Sequence, residues 1–176
     1  LLNHFNIKAP LTSYHDHNKI KKLPFLLQKL ESMDIALVSD AGTPGLNDPG
    51  FELIRACIQQ KIPVVPIPGP SAILTALIVS GMPTGQFVYL GYLPRRSGAR
   101  RKMLTSLTSE TRTAVVFETP HRLRDALEDM KACLPERALA LCRELTKIHE
   151  EVFRGTAEQA LEHFQSPRGE FVIVIE

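Results

Sequence analysis

The segment Ser39-Asp-Ala-Gly-Thr-Pro-Gly-Leu-Asn-Asp-Pro-Gly50 places three glycines and two prolines in twelve residues, and few architectures use such a run. It follows the apolar residues Ile35-Ala-Leu-Val38 and precedes a helix-like pattern, Phe51-Glu-Leu-Ile-Arg-Ala-Cys57. Strand, Gly/Pro-rich loop and helix, in that order, is how α/β proteins hold a ligand at the carboxyl ends of their strands. The prolines fix the backbone path and the glycines leave its amides approachable. Asp40 and Asp48 add two acids that a plain turn does not need. Asp48 before Pro49 is equally a helix cap followed by proline at the first helical position. Taken alone, the segment is either a capped βα turn or a ligand loop.

A second connection of the same kind changes the balance. Pro68-Gly-Pro-Ser-Ala72 stands between the apolar run Pro63-Val-Val-Pro-Ile-Pro68 and a helix pattern through Leu74, Ala76, Leu77 and Val79. Two strand–loop–helix units in succession predict a parallel sheet with right-handed crossovers, which brings both loops to one sheet edge. Helix-start amides and the Ser71 hydroxyl suit a carboxylate or another polar anchor. Neither loop is a Walker A sequence or G-x-G-x-x-G, so phosphate cradling by those patterns is disfavoured.

The remaining elements read as follows. Ile20, Leu23, Leu26, Leu27 and Leu30 recur at helical spacing within residues 18–33, and Pro24 predicts that the helix starts near Leu23. Asp48 and Pro49 predict the next helix over 49–60. The break Ser80-Gly-Met-Pro-Thr-Gly85 predicts a boundary between domains at 1–83 and 84–176. Beyond it, strands are predicted at 87–91, 113–117, 138–145, 152–155 and 171–175. Helices are predicted at 120–134, capped by Thr119, and from the Thr156-x-x-Gln159 capping box to about residue 164. A basic segment of helical character separates the first two strands. The fold class is α/β: a parallel-sheet first domain and a mixed-sheet α+β second domain.

Composition excludes more than it selects. Among 176 residues with 44% hydrophobic content, no apolar run approaches the roughly 20 that a membrane helix needs. Cys57, Cys133 and Cys142 are odd in number and form no CxxC, so they read as core residues in a reducing compartment. His15-Asp16-His17 lacks a third ligand, and no metal is expected. His121, His149 and His163 have no Ser or Cys partner in a hydrolase context. Both ends read as interior to a longer protein: the chain opens on Leu1-Leu2-Asn3 and stops in an apolar strand.

Three charged motifs remain. Pro94-Arg-Arg-Ser-Gly-Ala-Arg-Arg-Lys102 carries five cations and no acid. It is a solvated helix face or a phosphate-backbone surface, the latter favoured by Tyr89 and Tyr92 nearby. Glu118-Thr-Pro-His-Arg122 is a capped helix start, and Arg143-Glu-Leu-Thr-Lys147 ends a strand in charges that a surface ion pair would explain.

Taken together and in order, these loops, with Gly91-Tyr-Leu-Pro-Arg-Arg96, Phe117-Glu-Thr-Pro-His-Arg122 and Cys142-Arg-Glu-Leu-Thr-Lys147, resemble the tetrapyrrole methylase superfamily in its ribosomal RNA methyltransferase branch. The resemblance spans essentially the whole chain. It implies S-adenosylmethionine-dependent 2′-O-methylation of a cytidine in 16S ribosomal RNA of the small subunit. It implies a cytoplasmic two-domain homodimer with the cofactor in the interdomain cleft, without membrane or metal.

Carried over by position, Asp40, Ala41, Gly42, Thr43, Pro44, Asp48, Pro49, Gly50, Pro68, Gly69, Ser71 and Ala72 line the cofactor from the first domain. Glu118, Thr119, Glu144, Leu145 and Thr146 face it from the second. The basic run, with Arg95, Arg96, Arg100, Arg101 and Lys102, becomes the leading RNA-contact candidate. Asp40, Glu118, Glu144 and Lys147 are all open as the base for the ribose hydroxyl. The branch also begins with a strand and a Pro-Ile-Gly-Asn-Leu-like loop and ends in a small extension, none of which this chain carries; if they were never present, weak or absent activity is expected. A tetrapyrrole-type C-methyltransferase and a non-catalytic RNA-binding module are the alternatives.

Overall fold

Residues 2–40 and 42–176 are described by the structure, a computed structural model, so Leu1 and the expected site residue Ala41 lie outside it. The chain divides into two compact units, Leu1–Pro70 and Ser71–Glu176. The expected boundary at 83–84 lies one helix later than this division.

In the first unit the apolar stripe of α1 (Lys19–Leu30) meets α2 (Phe51–Gln59). Leu26, Leu53 and Cys57 are buried between them, with Leu23, Leu27, Leu30, Ile35 and Ile62 packed around. Helix α1 begins at Lys19 and runs through Pro24, correcting the start expected near Leu23. The proline removes one interior bond, that to the Ile20 carbonyl. Ile20 is two-thirds exposed, so water can serve the carbonyl that proline leaves unmet.

Helix α2 starts after Gly50, two residues later than the Asp48 cap predicted. Among the described residues of this unit no strand is formed, so the expected parallel pair at 35–38 and 63–68 is absent. Pro63, Pro66 and Pro68 carry no N–H, which weakens any ladder that 63–68 could offer. Residues 35–38 then have no neighbour to pair with.

The second unit contains the sheet. Its strands are β1 (Phe87–Tyr92), β2 (Thr113–Glu118), β3 (Leu139–Arg143), β4 (Glu151–Gly155) and β5 (Phe171–Ile175). They lie in the order β1-β2-β5-β3-β4, with β1 and β2 parallel and every other pair antiparallel. The mixed sheet expected of the second half is therefore present.

Side chains alternate across β5. Val172 and Val174 pack with Ile73, Ala76 and Leu77 of α3 (Ala72–Ser80) on one face. Phe171, Ile173 and Ile175 face α4 (Ser97–Ser106), α5 (Pro120–Cys133) and α6 (Ala157–His163) on the other. A strand buried on both faces reads as a continuous apolar run, which is what Phe-Val-Ile-Val-Ile is. Cys142 sits in this core; burial pushes its thiol up to about 11, in keeping with an inert packing residue.

The ends of α3 explain its limits. Ser71 caps the start by accepting from Leu74 N at 3.5 Å, and Gly81 closes the end in the left-handed region (φ 78°). Arg154 of β4 then donates through Nε to Ser80 O at 3.1 Å and through Nη2 to Val79 O. A cation on the last carbonyls of a helix satisfies orphan acceptors and complements the dipole. Arg154→Ala is expected to cost about 1–2 kcal/mol. This reads out as a lower urea midpoint at constant slope. An unchanged midpoint would remove the capping role.

Candidate functional site

Positive-φ residues cluster in the loop at 39–50. Gly42 (φ 78°), Gly45 (φ 82°), Asn47 (φ 58°) and Gly50 (φ 154°) all occupy the left-handed half of conformational space. At Gly50 the conformation is matched by crowding. A Cβ there would stand 2.8 Å from Leu37 Cδ2 and 3.0 Å from both Gly45 N and Gly45 Cα. The loop thus folds back so that its last residue touches its middle, and only glycine allows both the torsion and the approach.

Gly42 is the opposite case. A Cβ there meets nothing within 4 Å, so that stretch of backbone stands open. Ser39 Oγ donates to Gly42 O at 3.4 Å and Leu46 N to Thr43 O at 3.3 Å, bracing the open stretch. Thr43 Oγ1 donates to Pro70 O at 3.2 Å, which joins the two predicted loops directly. Asp40, Thr43 and Asp48 are exposed, while Pro44 and Pro49 are half-buried and Gly50 is buried.

In the second unit, Glu118 ends β2 and Thr119 stands at the N-cap position of α5, where the expected side-chain capping bond is not made. Glu118 and Arg143 both pair with Phe171 of β5, so residues 118–119 and 144–147 leave the same end of the sheet on either side of one strand. With strands about 4.8 Å apart, the two segments start about 10 Å from one another.

The 144–147 turn is tightly held. Glu144 (φ 47°) and Thr146 (φ 65°) are left-handed, unusual for residues other than glycine and most of all for a β-branched one. Glu144 Oε1 accepts from Glu170 N at 2.8 Å and from Lys147 Nζ at 3.0 Å. Lys147 Nζ also reaches Glu170 Oε2 at 2.8 Å, and Thr146 N donates to Glu150 Oε2 at 2.5 Å. Gly169 (φ 84°) lies beneath, where a Cβ would come within 2.5 Å of Glu144 Cγ.

Such surroundings sort the four possible bases. Glu170 and then Glu144 raise the Lys147 ammonium above its ordinary value, so Lys147 is a cation and a donor at neutral pH. The Glu170 amide and then Lys147 hold the Glu144 carboxyl below its ordinary value, and it stays ionised with both donors engaged. Glu118 is 2% exposed; Oε1 accepts from Thr119 N at 2.8 Å and Oε2 from Arg122 Nη2 at 3.1 Å. Burial raises its carboxyl despite those donors, and it has no free face for a substrate hydroxyl. Asp40 is the exposed carboxylate of the four.

The basic segment needs one correction. Arg95, Arg96, Arg101 and Lys102 are exposed as expected, but Arg100 is 4% exposed and paired with the buried Asp129 at 2.7 Å. It is an internal ion pair, unavailable to RNA. Sequence reasoning missed its partner, and it missed Glu170 and Gly169 because they contact Glu144 only across strands. Asp129 carries a signal in hindsight: an acid on the α5 stripe side beside Met130.

Among the described residues no group of three or more His, Cys, Asp or Glu could hold a metal, and no helix is long and apolar enough to cross a membrane.

Comparison with known proteins identifies the family. Residues 5–161 match the family model of Tetrapyrrole (Corrin/Porphyrin) Methylases. The chain is 49% identical to the ribosomal RNA small subunit methyltransferase I of Synechocystis sp. over 99% of its own length and 64% of that protein's. It is 42% identical to the protein of the same name from Thermotoga maritima, over 99% of this chain and 80% of that one. The chain thus spans less than two thirds of the Synechocystis relative and more of the Thermotoga one.

Among solved structures, the methyltransferase CobJ superposes with a TM-score of 0.68 at 16% identity, covering 99% of this chain and 80% of CobJ. Uroporphyrin-III C-methyl transferase from Thermus thermophilus, complexed with S-adenyl homocysteine, gives 0.62 at 15% identity, covering 98% and 80%. Those two likenesses establish the fold. The family model and the sequence relatives establish membership: this chain belongs to the tetrapyrrole methylase family and, within it, to the proteins named ribosomal RNA small subunit methyltransferase I.

Proposed function

We propose that this protein transfers a methyl group from S-adenosylmethionine to the ribose 2′-oxygen of a cytidine in 16S ribosomal RNA. The observation that carries the reading is the 49% identity, across nearly the whole chain, to a relative named for ribosomal RNA methylation. We further propose that it acts on the small ribosomal subunit, in the cytoplasm, as a homodimer.

The residues present fit the cofactor. Residues 39–50 contain no Lys or Arg and two acids, a neutral-to-anionic lining suited to a sulfonium. The open backbone at Gly42 lets carbonyls and amides approach a ligand closely. Asp40, Gly42, Thr43 and Asp48 would hold it from the first loop. Gly69, Ser71 and Ala72 would do so from the second, and Thr119, Leu145 and Thr146 from the strand ends. When bound, the cofactor supplies an activated methyl on a positively charged sulfur.

What the chain contributes is orientation and dryness. In-line displacement at a methyl group needs the attacking oxygen aligned and water excluded more than it needs a strong acid or base. Within its own unit each segment is held in shape, the 39–50 loop by Ser39 and Thr43 and the 144–147 turn by Glu170 and Glu150. Lys147, held as a cation by Glu170 and Glu144, would donate to a phosphate or hydroxyl and would not accept a proton.

Alignment carrying most of the rate predicts mild losses when Asp40, Glu118, Glu144 and Lys147 are replaced singly by alanine. Each folded variant is expected to keep kcat within about a hundredfold of the parent, below the upper range of general-base contributions. A loss of several orders of magnitude at one position, with cofactor affinity intact, identifies that residue as the base and ends the alignment account.

The activity itself is tested with tritiated S-adenosylmethionine and purified small ribosomal subunits. Label is expected in RNA, at a cytidine whose 3′ linkage resists alkali because its 2′-oxygen is blocked. Label in a tetrapyrrole macrocycle instead moves the reading to a C-methyltransferase. RNA binding without calorimetric heat from the cofactor moves it to a binding module.

A further inference from the structure

Asp129 has a place in this site that the basic run alone does not suggest. It is 2% exposed on α5 and gathers the basic helix from below. Ser97 Oγ donates to its two oxygens at 3.1 and 3.0 Å. Arg100 meets Oδ2 through Nε and Nη2, each at 2.7 Å, and Arg101 Nε meets Oδ1 at 2.5 Å. Every lone-pair direction of the carboxylate is therefore taken by a residue of α4.

Arg100 carries the constraint onward. Its Nη1 donates to the carbonyls of Pro94 and Arg95 at 3.5 and 3.4 Å, and its Nη2 to Asp125 O at 3.2 Å. One buried guanidinium thus ties the strand-to-helix connection that bears Arg95 and Arg96 to the acid beneath it. The alternation within the run follows: Arg100 turns inward, while Arg95, Arg96, Arg101 and Lys102 are displayed. Burial alone would raise the Asp129 carboxyl, but Arg101, Ser97 and Arg100 outweigh it and hold it below its ordinary value.

We propose that Asp129, acting through Arg100, is a positioning residue for RNA: it sets the spacing at which Arg95, Arg96, Arg101 and Lys102 meet successive phosphates. The inference rests on the RNA reading above. It makes a prediction whose sign is opposite to simple electrostatics. Asp129→Asn removes a negative charge from beside a basic surface, which by charge alone strengthens polyanion binding and steepens its salt dependence. Positioning requires the reverse, because cations that lose their spacing lose phosphate contacts.

The test uses a fluorescein-labelled RNA hairpin and the whole chain, titrated between about 50 and 200 mM salt. Asp129→Asn is expected to weaken binding about tenfold and to flatten the slope of log K against log salt by about one contact. Equal or tighter binding, or a steeper slope, overturns the proposal. Arg95→Glu/Arg96→Glu separates this from failure of the RNA reading: if the double variant binds RNA as the parent does, the basic face is not the RNA surface and the proposal falls with it. If Asp129→Asn does not fold, Arg100→Lys decides, since it keeps the charge and loses the fork to Pro94 and Arg95. Weakened binding by the folded lysine variant supports positioning; unchanged binding overturns it.

Discussion

Gly50→Ala is expected to unfold the loop at 39–50 and abolish S-adenosylmethionine binding while leaving the second unit folded. Two costs combine. At φ 154° the residue lies where only glycine is at ease, and forcing a side chain there costs about 1–3 kcal/mol. The new methyl would also press on Leu37 Cδ2 at 2.8 Å and on Gly45 N and Cα at 3.0 Å. Overpacking of that kind costs a further 1–3 kcal/mol, roughly, and most where backbone is the obstacle.

Leu37 can turn aside; the Gly45 backbone cannot move without opening the loop, because Gly45 and Asn47 are themselves left-handed. The expected readout is a cofactor affinity at least about a hundredfold weaker by calorimetry, equivalent to about 2.7 kcal/mol. The chemical shifts of the five-stranded sheet should be unmoved. Gly42→Ala is the control for folding of the loop, read by urea denaturation and not by cofactor affinity, because that open backbone is proposed to face the ligand. It shares a positive φ but meets nothing within 4 Å, so only the left-handed penalty of about 1–2 kcal/mol applies. Equal losses of stability from the two substitutions would mean that the close approach at Gly50 is not what shapes the loop.

How far such features could be read in advance differs between the two halves of the chain. In the second unit each predicted strand and helix is present within a few residues, since its signals are local and redundant. Thr156 and Gln159 form the reciprocal capping box that their spacing announces. Pro120 stands at the first turn of α5, and Val-Ile-Val can be at home only inside a sheet. The first unit resisted because its signals compete. Residues 63–68 have the apolar character of a strand, yet three prolines strip it of ladder donors, and Pro24 sits inside a helix it was expected to begin.

The site followed the same logic. The 39–50 loop and the 68–72 connection do meet, through Thr43 and Pro70, but not through the parallel strand pair from which their meeting was expected. The fate of Arg100 was not legible, because the five cations of the run look alike until Asp129 buries Arg100 and holds Arg101 at the surface beside it. Pairings across elements, such as Glu144 with Glu170, leave no trace in spacing along the chain.

Glu118→Leu is expected to be the most damaging single change in the second unit. The wild-type carboxylate is the acceptor for the Thr119 amide at the start of α5 and for Arg122. Among the described residues Arg122 Nε is already buried without a hydrogen-bond partner, and Nη2 also donates to Leu93 O. Leucine fills the volume but leaves a partly buried guanidinium and a helix-start N–H unmet. Breaking a buried pair from one side costs about 3–5 kcal/mol, a large part of the stability of a domain this size.

Glu118→Gln separates charge from hydrogen bonding, since its amide oxygen can still accept one donor. The pH dependence gives the sign. Burial raises the folded-state Glu118 carboxyl above its unfolded value, so the folded protein binds that proton more tightly. Its contribution to stability is complete below the unfolded pKa and is lost as pH rises through the raised one. The glutamine variant has no such proton. The wild type should therefore gain on Glu118→Gln as the pH of urea denaturation is lowered from 7 towards the ordinary carboxylate range, and a difference that narrows instead would show that Arg122, and not burial, governs the charge of Glu118.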